Sequence, residues 1–284
     1  GFQHLGFEPS SNVAKYSKKI NKVNVLNKFF NEKNCKKLSK FKNSTDLICA
    51  ANVISHIPNL KDMIRGIDLL LSKKGVFIFE EPYLGSMFSK ISYDQIYDAH
   101  IFIFSLHSVR SIFSEYDFDL IDALSQKTHG GSMRYVIARK GERKIKKSVT
   151  KLIRTEKKQC LNKISSCLKF KKNCLKSKSK FQNQIFSLKK SGKKIYGYAA
   201  SAKSSTVLNF CGIDNKYIDY VVDSTKEKIG KYTPGTHIPI VSEKFFRKNY
   251  PDIVILNSWN HRKEIISKEK KYVKKGGKFI SHVK

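Results

Sequence analysis

The 284-residue chain carries 56 Lys and Arg against 23 Asp and Glu, a formal net charge of +33, and is 40% hydrophobic. That length exceeds what a single hydrophobic core usually organises, so two domains are expected. No apolar run is long enough to span a bilayer and no signal peptide is recognisable, so the reading is a cytoplasmic protein with no membrane partner.

In chain order, the first segment (1–141) alternates short apolar runs with helical patterns. HLGFEP reads as a strand already under way, followed by a helix from about Asn12. DLICAANVISHI is a strand leading into a loop, LKDMIRGIDLLL a helix, GVFIFEEPYL a strand and SLHSVRSIFSEY a helix. FDLIDALSQ and SMRYVIARKG close the segment as two strands, expected to be antiparallel at a sheet edge. Such alternation predicts a doubly wound α/β sheet with helices on both faces.

The second segment (142–191) contains no Gly or Pro and keeps apolar residues at helical spacing, including Val149, Leu152, Leu161, Ile164, Leu168, Leu175, Phe181 and Ile185. It predicts long helices that pack on one face and link two domains. The third (192–284) opens with KKIYGYAASAKSSTVLNF, a strand, a small-residue turn and a helix, and continues with several short strands. This is a second, smaller α/β unit. Its turn lacks GxGxxG, but small residues before a helix N-terminus can seat a phosphate, with Lys203 adding a point charge.

The surplus of Lys does not by itself imply nucleic-acid binding. Much of it sits in stretches equally rich in Asn and Ile, such as KKINKVNVLNKFFNEKNCKKLSKFKN, a bias that A/T-rich coding produces. It reads as solvated surface, with no nucleic-acid partner, although an anionic substrate would benefit from the same field. The six cysteines form no CxxC pair, so no metal site is predicted. Cys160, Cys167 and Cys174 recur every seven residues and predict one buried helical stripe.

In an open α/β sheet, ligands collect outside the carboxyl ends of the strands. Glu8, ahead of Pro9, ends the first strand, where an acid can hold ribose hydroxyls or cap a helix. Asn52 and His56 end the second, Glu80, Glu81 and Tyr83 the next, and His129 and Gly130 open the motif HGGS before an edge strand. The stretch YDQIYDAH brings Tyr97 and His100 to the start of the apolar IFIFS, an unusual place for so many ionisable groups.

Together GFEPSSNVA, CAANVISHIPN, EEPYL, YDQIYDAH, HGGSMR, YGYAASAKSSTVLNFCGI and GKYTPGTHIPI resemble, in order and over almost the whole chain, the S-adenosylmethionine-dependent sugar C-methyltransferases. These act on nucleoside-diphosphate-linked 4-keto-6-deoxy sugars. The resemblance implies a class I methyltransferase Rossmann-like sheet, incomplete at its N-terminus, then a helical linker and the second Rossmann-like domain. It also implies transfer of a methyl group to a carbon next to the keto group, through an enolate. His100 would be the base or proton relay, since an imidazole pKa of about 6.5 suits work near neutrality. Tyr97 competes for that role or hydrogen-bonds the keto oxygen, with His56 nearby. Glu8, Pro9, Phe30 and Asn52 would lie at the cofactor, S-adenosylmethionine, and Tyr83, His129, Gly130, Lys203, Tyr232 and Thr236 at the nucleotide sugar. The family's zinc belongs to an N-terminal domain expected to precede Gly1. One departure stands out: the family reads Tyr-x-Glu-His, and here Ala99 replaces the glutamate. A re-sited acid, or a weakened protein that binds without turnover, are the two readings of that change.

Overall fold

Periodicity in the sequence becomes a regular strand and helix alternation in the computed structural model, which describes residues 3–283. In chain order the elements are β1 (Gly6–Phe7), α1 (Ser11–Lys19), β2 (Val25–Leu26), α2 (Glu32–Cys35), β3 (Thr45–Ala51), α3 (Leu60–Leu70) and β4 (Leu71–Pro82). There follow α4 (Leu84–Lys90), α5 (Leu106–Ser114), β5 (Phe118–Gln126), β6 (Ser132–Arg139), α6 (Lys147–Lys158) and α7 (Ile164–Lys190). The last part holds β7 (Ile195–Tyr198), α8 (Ala202–Cys211), β8 (Tyr220–Val222), β9 (Ile240–Val241), α9 (Glu243–Lys248), β10 (Ile253–Leu256) and β11 (Lys278–Ile280).

Two compact units interleave along the chain. The first gathers the residues up to Glu81 with Ile101–Gln126 and Met133–Lys157; the second gathers Pro82–His100, Lys127–Ser132 and everything from Lys158. A division at 141 and 191 therefore follows the order of sequence segments rather than which residues pack together.

In the first unit the four-stranded sheet runs β3-β4-β6-β5, with β3 and β4 parallel, while β1 and β2 pair separately in parallel. β5 and β6 are neighbours joined by residues 127–131 alone, a connection short enough only for antiparallel strands. Alternation on β4 sends Phe77 and Phe79 to one face, where they stack with centroids 5.2 Å apart. Phe104, Phe113, Phe118 and Tyr135 complete a buried aromatic core, each ring contributing roughly 1.5–3 kcal/mol by leaving water. The buried carboxylate of Glu156 on α6 accepts the first amides of α5, Leu106 at 2.7 Å and His107 at 3.0 Å. That ties the helix to the core and satisfies two donors that helix geometry leaves open.

The helical segment departs from the sequence expectation. α6 and α7 are separated by a break in which Cys160 takes φ +54°, and Cys167 is exposed, so the three cysteines form no stripe. The buried face of α7 is Phe170, Cys174, Phe181 and Ile185; Ile164, Leu168 and Leu175 are exposed. Spacing of 4, 7 and 4 residues follows the 3.6-residue repeat, and the exposed trio lies on another side of the helix. Burial pushes the Cys174 thiol up to about 11.

The sheet of the second unit runs β11-β10-β7-β8-β9, and every pair is parallel. The chain starts at the central β7, proceeds through β8 to β9, then returns to β10 on the other side. The switch point thus falls between the carboxyl ends of β7 and β10, the place where such sheets hold ligands. Among the described residues, no helix is long and apolar enough to cross a membrane.

Candidate active site

In the first unit the expected cofactor residues sit at strand ends. The β1 strand leads to Glu8, whose Oε1 accepts the Ser10 amide at 2.7 Å, and Asn27 Nδ2 donates to the carbonyls of Glu8 and Pro9 at 2.8 and 2.9 Å. Phe30 packs edge-on against Phe7 at 5.0 Å. At the end of β3, Asn52 takes the left-handed φ of +54°, which its short polar side chain tolerates. The 54–56 turn follows and carries an exposed His56. Glu81, fully buried at the end of β4, holds that turn: its Oε1 accepts the amides of Val53 at 2.8 Å and Ile54 at 2.6 Å. Glu81 Oε2 and Ser55 Oγ are buried there without a hydrogen-bond partner. Glu80 has a structural task, its carboxylate accepting Arg134 Nη2 at 2.9 Å.

The second unit contains Tyr83, Tyr97, His100, His129, Gly130 and Lys203. Tyr97 Oη lies 2.7 Å from His100 Nε2, and His100 Nδ1 lies 2.8 Å from the Gln95 carbonyl oxygen. A carbonyl can only accept, so Nδ1 carries the imidazole proton; Nε2 of the neutral ring is then an acceptor and the Tyr97 hydroxyl donates to it. No carboxylate stands at position 99, and the main-chain oxygen of Gln95 orients the ring.

The HGGS loop is anchored to the same region. Tyr83 N donates to the Gly131 carbonyl at 3.1 Å, Lys203 Nζ to the His129 carbonyl at 3.4 Å, and Lys90 Nζ to the Gly130 carbonyl. Gly130 has φ +85°, and a Cβ there would run into the Trp259 ring. Only glycine meets both demands. Lys203 is half-buried; desolvation lowers its pKa, opposed by the charge of Asp94.

At the switch point Ala199 adopts φ +78°, a strained conformation for a residue with a Cβ, of the kind that collects at ligand sites. Asn257, just past β10, donates to the Ala199 carbonyl at 3.2 Å while its Oδ1 is buried without a partner. Asp223, at the end of β8, accepts the amides of Ala200 at 2.7 Å and Thr225 at 2.8 Å. Burial would raise its pKa, but these bonds and Lys228 hold it below the ordinary aspartate value. A capping box of Ser201 and Ser204 starts α8, so the Ser204 amide is already engaged.

Sequence reasoning missed Asp223, Asn257, Trp259 and Asp94. An acid at the end of the strand after the small-residue turn was the available signal for Asp223; the other three carry no local one. Conversely, Tyr232 and Thr236 do not join the cluster. Their loop is held to Asn209, near the far end of α8 from Lys203, through Asn209 Nδ2 to the Pro234 carbonyl at 3.0 Å. Thr236 is buried with its hydroxyl 2.7 Å from that of Thr233, while Tyr232 is exposed. Within the motif, the Ile238 amide also donates to Thr233 Oγ1 at 2.9 Å. Among the described residues no cluster of His, Cys, Asp and Glu could hold a metal ion.

Comparison with known proteins fits this arrangement. Residues 127–283 match the family model described as the C-methyltransferase C-terminal domain, and residues 1–123 match a methyltransferase domain model. The chain belongs to the C-methyltransferase C-terminal domain family. It is 28% identical over 235 residues to the C-methyltransferase NovU of Streptomyces niveus, covering 82% of this chain but only 56% of that protein. Among solved structures it is similar to a SAM-dependent methyltransferase from Archaeoglobus fulgidus, at 14% identity over 49% of this chain and 77% of that one, TM-score 0.38. A SAM-dependent methyltransferase from Anabaena variabilis gives 18% identity over 48% and 68%, TM-score 0.36. Membership of the family rests on the sequence match, not on these distant likenesses.

Proposed function

We propose that the chain catalyses C-methylation of a nucleoside-diphosphate-linked 4-keto-6-deoxy sugar with S-adenosylmethionine as methyl donor. The observation that carries this reading is the Tyr97–His100 pair, already hydrogen-bonded at 2.7 Å and oriented by a main-chain carbonyl.

The donor set of the first unit suits the cofactor: a carboxylate at Glu8 for ribose hydroxyls, the Phe30 ring, and Asn52 on a turn fixed by Glu81. When bound, S-adenosylmethionine supplies an electrophilic methyl group. The chain's own part is proton and charge management. The substrate's keto group acidifies the hydrogen on the neighbouring carbon. With Nδ1–H held by Gln95, His100 Nε2 is the basic site, and it takes that proton either directly or through the Tyr97 hydroxyl. Where His100 takes the proton directly, the Tyr97 O–H turns from Nε2 to the oxygen where enolate charge develops. Lys203, Trp259 and the HGGS loop hold the nucleoside diphosphate near the switch point, and the partial desolvation of the half-buried Lys203 strengthens its pull on phosphate.

The test is to incubate the chain with methyl-labelled S-adenosylmethionine and a panel of such keto sugars. Mass spectrometry should show a gain of one methylene unit on the sugar; no gain on any of them sinks the proposal. Exchange of the sugar's acidic hydrogen for solvent deuterium without cofactor isolates the base. A second reading, binding without turnover, draws on Ala99: Ala99→Glu would then leave a silent protein silent.

A further inference from the structure

We propose that Asp94 is a positioning residue for the Tyr97–His100 pair, acting through the main chain of the 92–96 turn, which it ties to Trp259 and His282. The inference rests on the reading that this pair moves the proton, but its geometry stands independently.

Asp94 is completely buried. Its Oδ2 accepts Trp259 Nε1–H at 2.9 Å and its Oδ1 meets His282 Nε2 at 3.2 Å, partners 165 and 188 residues further along the chain. A carboxylate out of water is costly unless its oxygens are satisfied, so these two contacts fix where residue 94 can be. The neighbours reinforce it. Tyr93 packs its ring 5.1 Å from Phe210 and 5.0 Å from His282, and Gln95 Nε2 donates to Ser92 Oγ at 2.9 Å. Ser92, Tyr93, Asp94 and Gln95 are all buried, whereas Ile96, Asp98 and Ala99 are exposed.

The next residue, Gln95, supplies the carbonyl that holds His100 Nδ1–H. A side-chain carboxylate at position 99 could have oriented the ring by itself; a main-chain oxygen is only as fixed as the turn that carries it. Asp94 is the one charged side chain of the turn, and its carboxylate ties that turn to Trp259 in the segment after β10 and to His282 in the segment after β11. Lys203 is the cation that faces it, and its ammonium is supported by the Asp94 charge. Loss of the anchor frees the Gln95 carbonyl, the imidazole proton redistributes between its nitrogens, and Nε2 ceases to be a reliable base. Atoms of the reaction are untouched by Asp94; only the tautomer and placement of His100 depend on it.

The experiment reads that tautomer directly. The full chain is labelled with ¹⁵N-histidine, and long-range ¹H–¹⁵N spectra are recorded without ligand at a pH above the imidazole range, His100 being assigned by its loss in His100→Gln. Wild type should show Nδ1 protonated and Nε2 bare. Asp94→Asn keeps the acceptor for Trp259 and offers His282 a donor in place of an acceptor, which the neutral His282 ring meets by moving its proton to Nδ1, and should retain that pattern. Asp94→Ala should lose it, with kcat at saturating sugar down by about tenfold or more. A folded Asp94→Ala protein with wild-type His100 signals overturns the proposal. Should Asp94→Ala not fold, Trp259→Phe decides: it removes one donor, should move the His100 signals part of the way, and unmoved signals overturn the proposal equally. A wild type that shows the Nδ1–H tautomer yet transfers no methyl group would count against the functional reading alone.

Discussion

Asn52 and His56 of the first unit are exposed, on a turn that Glu81 grips by its amides, and the Glu8 carboxylate accepts the Ser10 amide two residues along. In the second unit Ser92 to Gln95 are buried, and the Tyr97–His100 pair hangs from a turn fastened by contacts spanning more than half the sequence. On the proposed function the two regions face different demands. Holding a polar ligand tolerates side chains that settle around it. Proton transfer requires donor and acceptor placed to within about 0.5 Å before the substrate arrives, so its support must come from the protein interior.

Breaking the second region at its centre should have the largest effect. His100→Ala and Tyr97→Phe are expected to slow methyl incorporation by about 10²–10⁴-fold, read from initial rates with labelled cofactor, while the melting temperature stays within a few degrees. A rate close to wild type for His100→Ala would move the base elsewhere. Gly130→Ala probes the wall of the same region. The added methyl meets Trp259 and the φ of +85° disfavours any Cβ, so stability should fall by about 1–3 kcal/mol in urea titration. The matching probe in the first region is milder: Glu8→Gln should weaken S-adenosylmethionine binding by about tenfold in calorimetry, with an unchanged melting temperature.

Asp223 sharpens the contrast through pH. Its folded pKa is depressed, so its stabilising contribution is complete above the ordinary aspartate pKa near 3.9 and is lost as pH falls through the lower folded value. Asp223→Asn should therefore flatten the loss of stability on acidification below about pH 4, measured by chemical denaturation at successive pH values. An unchanged acid limb would mean that the turn at Ala200 does not depend on this carboxylate.

The alternation of strands and helices was legible because each element carries its own period, as β4 does with Phe77 and Phe79 on one face. The expected antiparallel ending and the small-residue turn before α8 also appear. The helical segment misled for a physical reason. Its break falls where no Gly or Pro marks it, since Cys160 itself takes the left-handed conformation, and a seven-residue repeat across a break is no longer a stripe. On α7 both faces carry apolar residues, so periodicity alone could not choose between Leu168 and Phe170. Within the site, Tyr97, His100, His129 and Lys203 could be picked by composition and position. Asp94 could not, because its meaning lies in partners whose proximity only the folded sheet creates, and YTPGTHIPI stood out for a loop whose threonine hydroxyls pair with each other.

Trp259 is the single tryptophan among 13 tyrosines and 19 phenylalanines. Its indole N–H is held by Asp94, its ring backs Gly130, and Lys90 Nζ lies 5.7 Å from its centroid. Selective excitation of this one fluorophore therefore reads the HGGS loop and the 92–96 turn at once, against a background with no competing indole. On the proposed function, a diphosphate bound near Lys203 would change the field around the Lys90 ammonium and the indole ring, and hence the emission wavelength. The chain thus contains its own optical titration signal, usable with unlabelled protein and with ligands that it never converts.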